Sequence, residues 1–273
     1  MSEQPGNGGG PGRPGVVEAS VASAAVGPAV ALALQRLDLA QVEREYWEQD
    51  EFLFLPRLLD PPTVARLLED VARLEPAHLN RNYIPRHKKG GSVSHFAIAE
   101  HGSALLELYR SPALRQLLSR LARAELHLCP DDDPHACALY FYTQPGDHMG
   151  YHYDTSYYKG ARYTMLLGLV QDSSSRLLCR LHTRQPGRAP RDLAVATEPG
   201  GAVIFNGDKV YHAVSPSGAG ERRVVFTMEF VTNQEMGRAK RALSNLKDAF
   251  AYFGMRALWP SHARPRRRSQ PTA

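Results

Sequence analysis

"EPGGAVIFNGDKVYHAVSPSGAGERRVVFTMEFVTN", residues 198–233, sets two short apolar β-rich runs, "AVIF" and "VVFTMEFV", between clusters of Gly, Pro, Asn and Asp. Runs this brief, punctuated by turn residues, read as strands of an antiparallel sandwich or jelly roll rather than as helices. The same grammar extends backwards through "DLAVATEPGG", "SRLLCRLHTR", "ARYTMLLGLVQD" and "CALYFYTQPGD". A double-sheet barrel over residues 130–233 is therefore expected, and such a core is a natural host for a site.

Upstream the period changes. "EFLFLPRLL" contains a strand-like run, and "DPPTVARLLEDVARLEP" has Asp60 as a helix cap, prolines in the first turn, and Val64, Leu67, Leu68, Val71 and Leu74 at helical spacing. "GSALLELYRSPALRQLLSRLARAE" reads as a helix broken at Pro112. Between them "LNRNYIPRHKKGGSVSHFAI", residues 79–98, shows no sustained period and reads as a mobile loop. "EMGRAKRALSNLKDAFAYF" reads as a closing helix. The expected organisation is a disordered Gly/Pro-rich segment over residues 1–30, one mainly β domain with flanking helices over 36–260, and a basic disordered tail over 261–273.

Composition excludes several classes. The formal charge of +5 falls to about +1 without Arg264, Arg266, Arg267 and Arg268, so the basicity is that of a tail and no specific nucleic-acid binding is expected. Cys129, Cys137 and Cys179 are an odd count without CxxC spacing, which suits a reducing cytoplasm. No run approaches the roughly 18 apolar residues of a membrane span. Glu18 and Pro28 interrupt the Ala/Val-rich N-terminal stretch, which argues against a secretory signal.

The chemistry-bearing residues start in "GYHYDTSYYKG", residues 150–160. In a strand, side chains two apart share a face, so His152 and Asp154 can point an imidazole and a carboxylate at one place. Alone the pair reads equally as a turn. His212, arriving after the turns at Gly200-Gly201 and Asn206-Gly207-Asp208, can be a third ligand or a hydrogen-bonded core histidine. Two imidazoles and a carboxylate with open positions form the facial triad of non-haem Fe(II). In "GERRVVFTMEF", Arg222 is in phase with the apolar Val224, Phe226, Met228 and Phe230, whereas Arg223 is in phase with the mixed Val225, Thr227 and Glu229. That phase predicts Arg222 inward and Arg223 outward. A buried guanidinium needs an anion, either a ligand carboxylate held bidentately or a protein one.

His152-x-Asp154, His212 and an arginine ten residues later, with "GGAVIFNGDKVYHAVSP" between, resemble the Fe(II)- and 2-oxoglutarate-dependent dioxygenases over residues 136–231. "EQDEFLFLPRLLDPPTVARLLEDVARL" is similar to the leading strand and helix of their phytanoyl-CoA and prolyl hydroxylase-like branches. The resemblance implies a double-stranded β-helix, a cupin-like jelly roll. In it His152, Asp154 and His212 bind Fe(II), Arg222 binds the distal carboxylate of 2-oxoglutarate, and O2 is the second co-substrate. Many relatives carry a hydroxyl residue two after the arginine; Val224 stands there, so Tyr140 or Tyr142 becomes the candidate for the second contact. Halogenating relatives replace the acidic ligand with a small residue, and Asp154 is present, which points to hydroxylation.

Substrate contacts are expected from the loops at the barrel mouth, with Asn82, Tyr83, Arg86, Lys88, Tyr151 and Tyr157 as candidates. Lys88 and Lys89 read either as an anion site or as a solvated pair. The expected substrate is a small molecule or amino acid. An oxygenase acting on a protein or nucleic acid is the alternative, disfavoured for nucleic acid because Met228 occupies the position of a second arginine. A non-oxygenase metal-binding cupin-like barrel is another.

Overall fold

A computed structural model describes residues 25–154, 156 and 158–235, helix-rich at first and strand-rich after. Helices α1 (Val26–Gln35) and α2 (Leu39–Glu48) precede strand β1 (Phe52–Leu55) and helix α3 (Pro61–His78). Strands β2 (Asn80–Ile84) and β3 (Lys88–Val93) lead into α4 (His95–His101), α5 (Ser103–Tyr109) and α6 (Pro112–Ala122). Then come β4 (His127–Leu128), β5 (Cys137–Tyr142), β6 (His148–His152), β7 (Arg162–Asp172) and β8 (Leu177–Leu181). Finally β9 (Arg191–Val195), β10 (Ala202–Asn206), β11 (Tyr211–Val214) and β12 (Arg222–Val231) complete the series. Among the described residues no helix is long and apolar enough to cross a membrane.

Local signals act as their chemistry dictates. Asp60 Oδ1 accepts from the Thr63 amide at 2.9 Å with proline in the first turn of α3. Ser111 Oγ accepts from the Leu114 amide where Pro112 opens α6. Helix α1 already occupies Val26–Gln35, ahead of the expected boundary at 36, because Val26, Val30 and Leu34 recur one turn apart and are buried together. Residues 79–98 are a β2–β3 hairpin followed by α4 rather than a mobile loop. The pattern is hidden because close approach replaces apolar alternation there: a Cβ on Gly91 would lie 2.6 Å from Leu79 Cδ1. The expected closing helix falls, but for Glu235, outside the described residues, as does the basic tail.

All pairings are antiparallel, in the order β1-β10-β7-β12-β5-β3-β6-β11-β8-β9, with β2 on β3 and β4 on β12. The path curls into the jelly roll. Strands β5 and β6 lie end to end along β3, which pairs Val93, Ser92 and Gly91 with β5 and Lys89 and Lys88 with β6. The two faces of β12 enter different clusters. Val224, Phe226, Met228 and Phe230 pack with Val30, Leu67, Leu105 and Leu108 under the helices. Val225 joins Tyr142, Met149, Leu166, Cys179, Val203, Phe205 and Val214 inside the barrel.

One buried carboxylate ties the helices together. Asp70 Oδ2 accepts from the amides of Ala104 at 2.7 Å and Leu105 at 3.0 Å, joining α3 to the first turn of α5. Asp70→Ala strands two buried donors, so a loss of about 2–3 kcal/mol is expected, seen as a melting temperature lower by roughly 4–12 °C. Metal affinity should not change.

Candidate metal centre

Strands β6 and β11 bring the two histidines together by register: His152 is paired with His212, and their ring centroids are 4.2 Å apart. Beyond that pair β6 holds two residues, Gly150 and Tyr151, where β11 holds one, Ala213, before Met149 meets Val214. This bulge turns both Met149 and His152 to the interior. Asp154 lies just past β6 against the turn after β10, where a Cβ on Gly207 would sit 2.8 Å from Asp154 Cβ, so only glycine leaves the carboxylate its place.

Each imidazole is oriented by a carbonyl. His152 Nδ1 lies 2.8 Å from Gly150 O and His212 Nδ1 3.2 Å from Val210 O. With Nδ1–H donating to those oxygens, the tautomer this geometry assigns, Nε2 keeps its lone pair for a metal. Asp154 Oδ1 is 3.4 Å from His152 Nε2, and Oδ2 is 3.8 Å from His212 Nε2. One ligand atom from each residue fits within 4.8 Å of the others, and among the described residues no other trio of His, Cys, Asp or Glu does so. Burial, then the neighbouring His152, pushes the His212 pKa down to about 4, so this ring is neutral at neutral pH. Burial works to raise the Asp154 pKa, but His212, His152 and Arg162 hold it well below the usual carboxylate range. The neutral His212 imidazole and the ionised Asp154 carboxylate, with the His152 ring 4.2 Å from that of His212, match the donor set of non-haem Fe(II).

Behind Asp154 sits a polar assembly that the sequence reading did not identify. Thr164 Oγ1 is 2.7 Å from Asp154 Oδ2 and 2.9 Å from Glu229 Oε2, and Arg162 Nε donates to Glu229 Oε2 at 2.9 Å. One hydroxyl hydrogen cannot serve two carboxylates. Both contacts are hydrogen bonds only when Glu229 carries a proton, which burial favours, pushing its pKa up to about 8 against the opposing charge of Arg162.

The arginine pair is placed the other way round from the expectation. The Arg222 side chain is 41% exposed and forms a bidentate pair with Glu75 of α3, Nη1 to Oε1 at 3.0 Å and Nη2 to Oε2 at 2.5 Å. Arg223 is 0% exposed. Its Nε donates to Gln171 Oε1 at 3.2 Å and its Nη2 to Thr197 Oγ1 at 3.1 Å, while Nη1 is buried with no hydrogen-bond partner. The guanidinium carbon lies 5.1 Å from the Tyr142 ring centroid. No carboxylate among the described residues pairs with Arg223, and burial lowers its pKa. The inversion has a physical cause: the uniformly apolar face of β12 is the one covered by helices, and the mixed face lines the barrel. Arg223, Thr227 and Glu229 in one phase of a strand buried on both sides were the available signal.

The remaining candidates separate by position. Tyr142 is buried beside Arg223, and burial pushes its pKa up to about 12. Tyr140 is half-buried on the same face, its hydroxyl 3.4 Å from His135 Nδ1. Lys88 is 1% exposed, not solvated, with Nζ 5.2 Å from the Tyr140 ring centroid and its pKa lowered to about 7 by burial. Asn82 is half-buried on β2, whereas Tyr83 and Arg86 are exposed. Tyr151 faces away from the metal trio, stacked on Tyr211 at 5.0 Å with Arg180 over it. Tyr157 lies outside the described residues.

Comparison with known proteins places this arrangement. A family described as Halogenase D matches residues 35–160, which include His152 and Asp154. A non-haem α-ketoglutarate-dependent epimerase of nogalamycin biosynthesis, SnoN, superposes with a TM-score of 0.57 at 18% identity, over 70% of this chain and 81% of its own. A prolyl hydroxylase from Trichoplax adhaerens, solved with a peptide fragment of a hypoxia-inducible factor, gives 0.58 at 16% identity over 78% and 94%. A 2OG-Fe(II) oxygenase family member from Burkholderia pseudomallei gives 0.57 at 14% over 74% and 95%. The chain has the fold of the Fe(II)- and 2-oxoglutarate-dependent oxygenases. No curated protein matches the sequence. Within this fold the imidazoles of β6 and β11 and the arginine of β12 share one interior, since the Phe205 ring packs 4.8 Å from His212 and belongs to the cluster that holds Tyr142 and Val225.

Proposed function

We propose that the protein is an Fe(II)- and 2-oxoglutarate-dependent oxygenase that hydroxylates a C–H bond of a small-molecule or amino-acid-type substrate. The observation that carries the reading is a three-ligand metal site and a buried arginine without a carboxylate partner inside one barrel. A charge left unpaired in a core costs several kcal/mol, so the position is explained by an anion that arrives with a ligand. Arg223 takes the role that the resemblance placed on Arg222: it holds the distal carboxylate of 2-oxoglutarate, with Tyr142 beside it. When bound, iron and 2-oxoglutarate supply the oxidant, with O2 consumed and succinate and CO2 released. His152, Asp154 and His212 hold the metal from one side, and Phe205, Leu166, Val225 and Met149 line the interior and exclude water. Lys88 and Tyr140, on the same interior wall, and Asn82 at its edge meet the substrate, and the lysine favours one with an anionic group.

The match to a halogenase family raises halogenation as a second reading. A halide on the metal needs the coordination place that Asp154 fills between the two imidazoles, so hydroxylation is the better account. A protein substrate is the other reading, prompted by the peptide seen with the prolyl hydroxylase of the same fold. The deciding experiment adds Fe(II) anaerobically, titrates 2-oxoglutarate, and follows the visible metal-to-ligand charge-transfer band. Succinate release is then screened against amino acids, small carboxylic acids and peptides. Absence of the band in the wild type refutes the reading; stimulation by peptides alone moves the substrate to the macromolecular class.

A further inference from the structure

Asp154 has two oxygens and the structure treats them differently. Oδ1 faces His152 Nε2 at 3.4 Å, whereas Oδ2, farther from its imidazole at 3.8 Å from His212 Nε2, also receives the Thr164 hydroxyl at 2.7 Å. The competing acceptor for that hydroxyl hydrogen, Glu229 Oε2, is 2.9 Å away and already takes a hydrogen bond from Arg162 Nε at 2.9 Å. The shorter contact and the otherwise unserved oxygen both direct the hydrogen to Asp154. Thr164 is itself fixed: it is 3% exposed on β7, with its backbone paired to Phe205 on one side and to Glu229 on the other. Its β-branched side chain therefore has little rotamer freedom with which to release Asp154.

We propose that Thr164 is a positioning residue that reserves Oδ2 of Asp154, so that the carboxylate meets a metal through Oδ1 alone and an extra coordination place stays open. A carboxylate free to bind through both oxygens would occupy one more place and narrow the room for a chelating ligand. Glu229, anchored by Arg162, backs the hydroxyl from the far side and keeps it aimed at Asp154. The inference rests on the metal-centre reading and adds to it a residue that acts through the Asp154 carboxylate rather than on the metal.

The test uses Co(II) as the probe and needs no turnover. Co(II) affinity is measured by calorimetry and its coordination by the visible ligand-field bands, for wild type, Thr164→Val, Thr164→Ser and Thr164→Ala. Second-sphere hydrogen bonds to ligands typically affect affinity by about 10–100-fold. Thr164→Val should bind Co(II) at least tenfold more weakly, or with a changed band pattern, and Thr164→Ser should restore both. Melting of the metal-free proteins shows whether Thr164→Val is folded, and Thr164→Ala replaces it in the comparison if it is not. Valine or alanine variants with wild-type affinity and bands overturn the inference, and so does a serine variant as impaired as they are. If the wild type binds no Co(II), the metal-centre reading falls, an outcome distinct from either of those.

Discussion

In Arg223→Leu, half-saturation of the anaerobic charge-transfer band should need roughly 30-fold to several-thousand-fold more 2-oxoglutarate than in wild type, the range of about 2–5 kcal/mol for losing one partner of a buried charge pair. The side chain replaced is fully buried, and its Nη1 has no hydrogen-bond partner. Without the ligand that guanidinium is a cost to the fold. Leucine removes the desolvated charge, so the metal-free variant should melt at the wild-type temperature or above it. Lost ligand affinity with unchanged or improved stability is a pairing that a merely structural arginine does not give. Arg222→Ala is the matched control: its exposed pair with Glu75 is worth less than about 1 kcal/mol, and 2-oxoglutarate affinity should be unaffected. If Arg222→Ala loses the response and Arg223→Leu keeps it, the assignment of the two arginines is wrong.

That reversal marks the limit of what β12 discloses as a string. The period of two was readable, and so was the division of the strand into an apolar set and a mixed set. The step from apolar to interior holds for a sheet with one covered face, but β12 is covered on both. Helices cover the apolar face. The polar residues line the site, where each is held from β7 or the loop after β9: Arg223 by Gln171 and Thr197, Glu229 by Arg162 and Thr164. The grouping of His152, Asp154 and His212 was legible because its signal is chemical and local, a spacing of two followed by a histidine after two turns. Thr164 was not, since a threonine inside "ARYTMLLGLVQD" has no property in the sequence that tells a strand former from a donor to a carboxylate ten residues earlier. The hairpin of β2 and β3 was hidden for the same reason, its glycines answering to neighbours far along the chain.

The metal itself should be visible in the stability of the protein. A ligand that binds only the folded state stabilises it by about 2.7 kcal/mol at 100 times its dissociation constant, which for a chain of this size raises the melting temperature by roughly 5–11 °C. Wild-type protein titrated with Fe(II) under anaerobic conditions, or with Co(II) in air, should show that rise, and a chelator should reverse it. Asp154→Ala should abolish it. The carboxylate is the sole anionic ligand of the trio, and without it the half-buried His152 and buried His212 imidazoles, with ring centroids 4.2 Å apart, must share a dication with no compensating charge. The metal-free variant has a separate signature. In wild type the Asp154 carboxyl titrates well below its ordinary value of 3.8, so the stability it contributes is present above that pH and is lost as the pH falls through the lower folded-state value. Asp154→Ala should therefore flatten the acid limb of the metal-free stability profile. A variant that keeps the metal-dependent rise would show that the ion binds elsewhere, whereas a rise lost together with a flattened acid limb places both effects on the same carboxylate.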